Sequence, residues 1–212
     1  MVDETSLGNL SNLKLEDEDN EENLKSLAGD SELHYLQNKW TFYFFKNDRS
    51  KDWIDNMKKV IDFDTVEDFW GLMNHIAPPS KLPSGCDYYV FKDVIQPMWE
   101  DDRNKNGGMW LLTFEKNQRI SHLDPCWLEI LMLLVGETFE DDSDEICGAV
   151  VNIRGKGDRV SVWTTDCSSA EAIKRIGQKI KDALGLTCAI EYTAHTDAQN
   201  KSSSRAKCTF RI

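Results

Sequence analysis

The run Trp40-Thr41-Phe42-Tyr43-Phe44-Phe45 constrains the fold more than any other stretch. Five of its six residues are aromatic, and aromatic and β-branched side chains favour a pleated, covered surface. Successive side chains of a strand point to opposite faces, so a run this dense needs apolar cover on both. It is read as a first strand buried on two sides. Further strand candidates are 87–92, 109–114, 146–153, 159–165, 188–194 and 207–212. Gly155-Lys156-Gly157-Asp158, between two of these, signals a hairpin.

Three helices are expected among the strands. Asp64-Thr65-Val66-Glu67 reads as a start, with Asp64 as cap and Glu67 reaching back. Val66, Phe69, Trp70, Met73 and Ile76 follow at helical spacing, and Pro78-Pro79 ends the segment. A second helix opens at the capping Asp124, with Pro125 in its first turn. Trp127, Ile130, Leu131, Leu134 and Val135 form its core stripe, while Leu128 and Met132 add another apolar one. The third opens on Ser168-Ser169-Ala170-Glu171 as a capping box and buries Ile173, Ile176, Ile180 and Leu184. Strands joined mainly by short loops, with three helices inserted, predict a single α+β domain whose largely antiparallel sheet is covered on one face. Regular β-α alternation, a glycine-rich phosphate fingerprint and a G-x-S-x-G elbow are all missing from the sequence.

Charge separates a tail from the rest. Residues 1–32 hold ten acids against Lys14 and Lys25, with almost no aromatics, which predicts a disordered acidic tail ahead of a domain at 33–212. That domain carries a net charge of only −4. It lacks the basic excess of a protein that grips nucleic acid through many phosphates, so any nucleic acid should be held locally, at one end or one nucleotide. Six scattered cysteines form no C-x-x-C pair, which argues for reduced thiols in a cytoplasmic or nuclear protein and against zinc. No secretory signal, membrane span, metal site or cofactor is expected.

The chemistry-bearing stretch is Pro97-Met98-Trp99-Glu100-Asp101-Asp102. Trp99 offers a flat π face and Glu100 acceptors for a donor edge. For the pair taken alone, Trp99 covering the core with Glu100 in solvent is the simpler reading. Trp53 follows seven polar residues and also falls in a loop, where ligand contacts concentrate. Arg154, Lys156 and Arg159, at the predicted hairpin, could reach several phosphate oxygens or form an ordinary solvated turn.

From His34 to Ile212 the chain resembles the eukaryotic translation initiation factor 4E family. The resemblance rests on Trp40-Thr41-Phe42-Tyr43-Phe44-Phe45-Lys46-Asn47-Asp48-Arg49-Ser50-Lys51-Asp52-Trp53, Phe63-Asp64-Thr65-Val66-Glu67-Asp68-Phe69-Trp70 and Pro97-Met98-Trp99-Glu100-Asp101. It also rests on Cys147-Gly148-Ala149-Val150-Val151-Asn152-Ile153-Arg154 and Val162-Trp163-Thr164-Thr165. It implies a curved sheet with three helices on its convex face and a ligand slot on the concave side. It further implies binding of the 7-methylguanosine cap of messenger RNA, by a monomer outside its partner complexes.

By that resemblance Trp53 and Trp99 sandwich the base, Glu100 accepts from its edge, and Trp163 lies beside the methyl group. Arg154, Lys156 and Arg159 would hold the phosphates. His34, Val66, Trp70, Leu128, Glu129 and Met132 match the surface that receives a helix from a 4G-type initiation scaffold or a 4E-binding repressor. Tyr35 stands where the family usually has Pro, Met109 where many members carry Arg, and Tyr43 where Trp is usual. The first departure keeps open a cap-bound repressor that recruits the scaffold poorly. Ser204 matches a phosphorylated serine, where phosphate would add ~1.5–2 negative charges. A metal-dependent cap hydrolase using Glu100, Asp101 and Asp102 is the alternative from another class.

Overall fold

The computed structural model describes residues 32–196 and 210–212. The proposed tail and the segment holding Ser204 lie outside the described residues, apart from Glu32. The chain divides after His34, and the unit from Tyr35 onward carries the fold.

Its strands are β1 (Tyr35–Lys46), β2 (Met57–Thr65), β3 (Cys86–Lys92), β4 (Gly108–Phe114), β5 (Ile146–Asn152), β6 (Asp158–Thr164), β7 (Glu191–Ala194) and β8 (Phe210–Arg211). They form one open, curved sheet in the order β2-β1-β3-β5-β6-β4-β7-β8. Every neighbouring pair is antiparallel. The helices are α1 (Trp53–Asn56), α2 (Val66–His75), α3 (Asp124–Val135) and α4 (Ala170–Ala183). Among the described residues no helix is long and apolar enough to cross a membrane.

Alternation along the strands builds two cores. Trp40 and Phe42 of β1, Tyr88 and Val90 of β3, and Val160 and Val162 of β6 join the larger cluster, with Phe69 of α2, Ile130 of α3 and Ile173 of α4. Tyr43 and Phe45, Tyr89 and Phe91, and Trp163 point the other way into a second cluster with Ile95. Both faces of the 40–45 run are therefore covered, as its composition demands. Helix α3 is apolar nearly all round, and its Leu128 and Met132 remain only partly buried against the larger core.

The helix starts differ in detail from the sequence reading. Asp64 belongs to β2; the cap of α2 is Thr65, whose hydroxyl accepts from the Asp68 amide. Asp124 caps nothing, because 3-10 and π turns over 116–123 lead straight into α3. Its carboxylate instead accepts from the amide and hydroxyl of Ser80, at 2.8 and 2.6 Å. The third capping box does not form: Ser169 is the cap without a side-chain bond, and Ser168 is engaged by Asp166. Strand β2 is absent from the sequence reading. Its Met57-Lys58-Lys59-Val60-Ile61 segment is an exposed edge without alternation, and lysines on an open edge discourage pairing with another chain.

Gly177 in α4 lies against the indole of Trp110, which is fully buried and donates to the Ile173 carbonyl at 3.1 Å. A methyl group there would overlap the ring carbons and Ile212. Alanine gains about 1 kcal/mol of helix propensity over glycine, but overpacking a fixed core costs about 1–3 kcal/mol. Gly177→Ala should therefore destabilise the protein, by up to about 2 kcal/mol net. Gly71→Ala, where a methyl meets nothing within 4 Å, should stabilise it by about 0.5–1 kcal/mol. Denaturant midpoints that rise in both variants would refute this packing.

Candidate functional site

Period-two alternation decides which side chains reach the face away from the helices. On β6, Val160 and Val162 are spent on the helix-facing core, leaving Arg159, Ser161 and Trp163 on the other side. On β5 the corresponding residues are Val150 and Asn152, on β3 Tyr89 and on β4 Met109. Together with Trp53, the 97–100 stretch and Arg154 they line one cavity of about 500 Å³. Six of the seven residues singled out for base and phosphates thus share one concavity: Trp53, Trp99, Glu100, Trp163, Arg154 and Arg159. Lys156 sits on the exposed hairpin turn, outside the lining.

Each wall has its own support. Trp53 opens α1 and is 44 % exposed, its ring against Phe45 with centroids 5.9 Å apart. The preceding loop is tied by Asn56, whose amide donates to the Asp48 carbonyl at 2.9 Å and accepts from the Asp48 amide at 3.3 Å. Trp99 lies in the loop between β3 and β4, partly buried against the second core, and Glu100 beside it is exposed. Trp163 is buried, donates to Ser161 Oγ at 3.2 Å and meets Phe91 edge-on. Its indole also packs on His195, whose centroid is 4.3 Å away. Burial pushes that imidazole down to about 4, so it stays neutral at physiological pH.

One of the cations, Arg154, is oriented by a buried acid. Arg154 forms a bidentate pair with Asp87, through Nη1–Oδ1 and through Nη2–Oδ2 at 2.8 Å. This bonding raises the guanidinium's pKa, against an opposing effect of burial. Asp87 is 1 % exposed. The hydroxyl of Tyr89 also lies within reach of it, at 3.4 Å, and burial raises that phenol's pKa. At the hairpin root, fully buried Asp158 takes both arms of Arg119 at 2.6 and 2.7 Å and accepts from the Arg154 amide. Arg119 also donates to the Arg154 carbonyl. The sequence reading missed both clamps. An acid inside the apolar run Cys86-Asp87-Tyr88-Tyr89-Val90-Phe91 was a usable signal for Asp87; nothing marked Arg119.

The three consecutive carboxylates diverge. Asp101 accepts from the amides of Gln96 and Arg103, Asp102 pairs with Lys105 at 2.7 Å, and Glu100 alone lines the cavity. The buried thiols of Cys126 and Cys147 are pushed up to about 12 by burial, far from a reactive thiolate. Such an arrangement suits a flat, electron-poor ring bearing hydrogen-bond donors and an anionic chain.

On the helix side, Val66 and Trp70 stand one turn apart on α2, 38 % and 39 % exposed. Leu128 and Met132 repeat that spacing on α3 with Glu129 between them, all half-buried. Tyr35 is 73 % exposed, and His34 is exposed.

Residues 35–209 match the family model described as eukaryotic initiation factor 4E. The chain is 54% identical over 181 residues to eukaryotic translation initiation factor 4E of Aplysia californica, covering 84% of each. Among solved structures it is similar to Ascaris suum eIF4E-3 in complex with the m2,2,7G cap, at 49% identity and a TM-score of 0.80, covering 85% of this chain and 98% of that one. It is similar also to C. elegans eIF4E-3 in complex with the 4E-binding protein Mextli and a cap analog, at 46% identity and a TM-score of 0.78, covering 85% and 99%. This chain belongs to the eukaryotic initiation factor 4E family.

Proposed function

We propose that this protein binds the 7-methylguanosine 5′ cap of messenger RNA and links it to a helix-donating partner in translation initiation, as a binding protein and not an enzyme. The observation that carries this reading is the single cavity that gathers Trp53, Trp99, Glu100, Arg154 and Arg159. Methylation turns guanine into a delocalised cation. Stacking a base on an aromatic contributes roughly 1–3 kcal/mol, and a cation over a π face adds about 0.5–2 kcal/mol. Glu100 would accept from the guanine edge; adenine lacks those donors and would leave the carboxylate desolvated and unpaired. Arg154, Arg159 and, from the turn, Lys156 would take the phosphate chain, with Trp163 beside the methyl group. The divergence of Asp101 and Asp102 toward other partners supports binding over metal-assisted hydrolysis.

The same reading assigns Val66, Trp70, Leu128, Glu129 and Met132, with His34 and Tyr35, to a partner helix of a 4G-type scaffold or a 4E-binding repressor. The exposed apolar pair on α2 and the half-buried pair on α3, each one turn apart, support it, because helix-in-groove recognition needs such anchors. The protein would work as a monomer outside such complexes, in the cytoplasm. Exposed Tyr35, where the family usually has Pro, favours a second reading: a cap-bound repressor that recruits the scaffold poorly.

Tryptophan fluorescence should be quenched strongly by 7-methyl-GTP, with GTP binding roughly 2–30-fold more weakly for want of the cation–π contribution. Trp99→Ala should weaken 7-methyl-GTP by about 5–150-fold. An unchanged titration would remove the sandwich, and release of product in magnesium would replace binding by hydrolysis. A scaffold-derived helix should gain affinity on Tyr35→Pro, a change tolerated at the first residue of a strand. Tight binding by the unaltered chain would dispose of the repressor reading.

A further inference from the structure

The loop from 93 to 107 carries Trp99 and Glu100 yet has no helix or strand of its own. Long irregular loops need some internal device to hold one shape. Resting on the cap-binding reading above, we propose that Asn104 is the positioning residue of this site, fixing the Trp99-Glu100 tip from beneath without touching ligand.

Asn104 is fully buried and is not among the residues lining the cavity. Its Nδ2 donates to two carbonyls, Gln96 O and Met98 O, each at 2.8 Å. These carbonyls flank Pro97 and immediately precede Trp99. The Asn104 backbone extends the clamp: its amide donates to Asp101 O, and its carbonyl accepts from the Gly107 amide, both at 2.9 Å. One residue thereby holds both ends of the tip, before Trp99 and after Glu100. Gly107 in turn accepts from the His195 amide at 3.0 Å, rooting the loop beside the residue that packs on Trp163.

The chemistry of the clamp selects asparagine. Two carbonyls facing one side chain need two donors from one short group. Aspartate offers no donor when ionised, serine offers one, and glutamine is a carbon too long. The orientation of the amide follows, since carbonyls cannot donate to its oxygen. Its buried Oδ1 has no partner among the described residues. A position chosen for packing alone would carry an apolar residue; the donor half of the amide accounts for a polar one.

The test uses the full chain with Asn104→Ala and Asn104→Asp, titrated with 7-methyl-GTP and with GTP. The nucleotide-free proteins are followed by amide hydrogen exchange. Asn104→Ala should weaken 7-methyl-GTP roughly tenfold and GTP less, because both bases need the indole and the carboxylate in register but only the methylated one also loses its charge attraction to them. Exchange should speed up at Gln96, Asp101, Arg103 and Asn104 while the amides of β4 and β6 stay protected. Asn104→Asp should be worse than alanine at pH 8 and should recover relative to the unaltered chain at pH 5.5, where the introduced carboxyl regains a donor. A merely structural role predicts equal loss of both nucleotides with a general drop in protection, and that result overturns the proposal. So does unchanged exchange in the loop. An unaltered chain that fails to distinguish the two nucleotides would instead sink the cap reading, leaving the exchange pattern to judge Asn104.

Discussion

Apolar cover on both faces of the central strands is the constraint from which the architecture follows. A half-buried sheet can leave one face to water, but β1 and β3 place bulky side chains on both sides. Three helices satisfy one face. The other has no long helix among the described residues, so loops and the short α1 cross it, and Ile95 and Trp99 of the long β3–β4 loop pack there. A face covered by loops is incompletely filled. The cavity is the space left between that loop, α1 and the strand residues beneath.

Electrostatics uses the same layering. Asp87 and Asp158 are buried acids, a costly placement unless each is paired. Each is matched by an arginine, and the result is geometric: Arg154 is held at the cavity with its backbone pinned at the hairpin root. A long cation on a surface turn would spend rotamer entropy on binding an anion. Held in advance by Asp87, Arg154 presents its guanidinium already oriented. Arg159 on the cavity wall and Lys156 on the turn outside it are both exposed, so of the three cations Arg154 is the one oriented by a buried acid.

How much of this the sequence disclosed depended on whether a local pattern existed. The 40–45 run and the stripes of α2, α3 and α4 are periodic, and periodicity reports which face is buried. The first half of β2, residues 57–61, shows no alternation because it lies on an edge, and so the strand was missed. The helix caps failed by a residue or a partner: Ser80 lies far from Asp124 in sequence, and propensity cannot know which acceptor a distant hydroxyl will find. The site residues were visible as oddities, two loop tryptophans and a basic hairpin, but their convergence was not. Bringing Trp53 and Trp99 to one concavity requires the register of β1 on β3 and the fold-back of a fifteen-residue connection. Of the residues behind the site, Asp87 stood out only as an acid in an apolar run, and Arg119 and Asn104 carried no signal, because each acts through a partner distant in sequence or through loop geometry.

That division bears on how selectivity can arise in a domain so near neutrality. With a net charge of −4 outside the tail, counterion release from a few phosphates cannot provide strong binding to nucleic acid in general. The discrimination has to come from a small, partly desolvated volume, where a delocalised positive charge between π faces and beside a carboxylate gains more than it does in water. The stacking contacts that accompany these gains lose about a quarter to a half of their attraction on a gap of about 0.5–1 Å. Shape alone would admit unmethylated guanine. Holding the charge-sensing groups in place before a cap arrives would disfavour it, and on that reading the hydrogen bonds buried beneath the loop influence selectivity along with the residues that line the cavity.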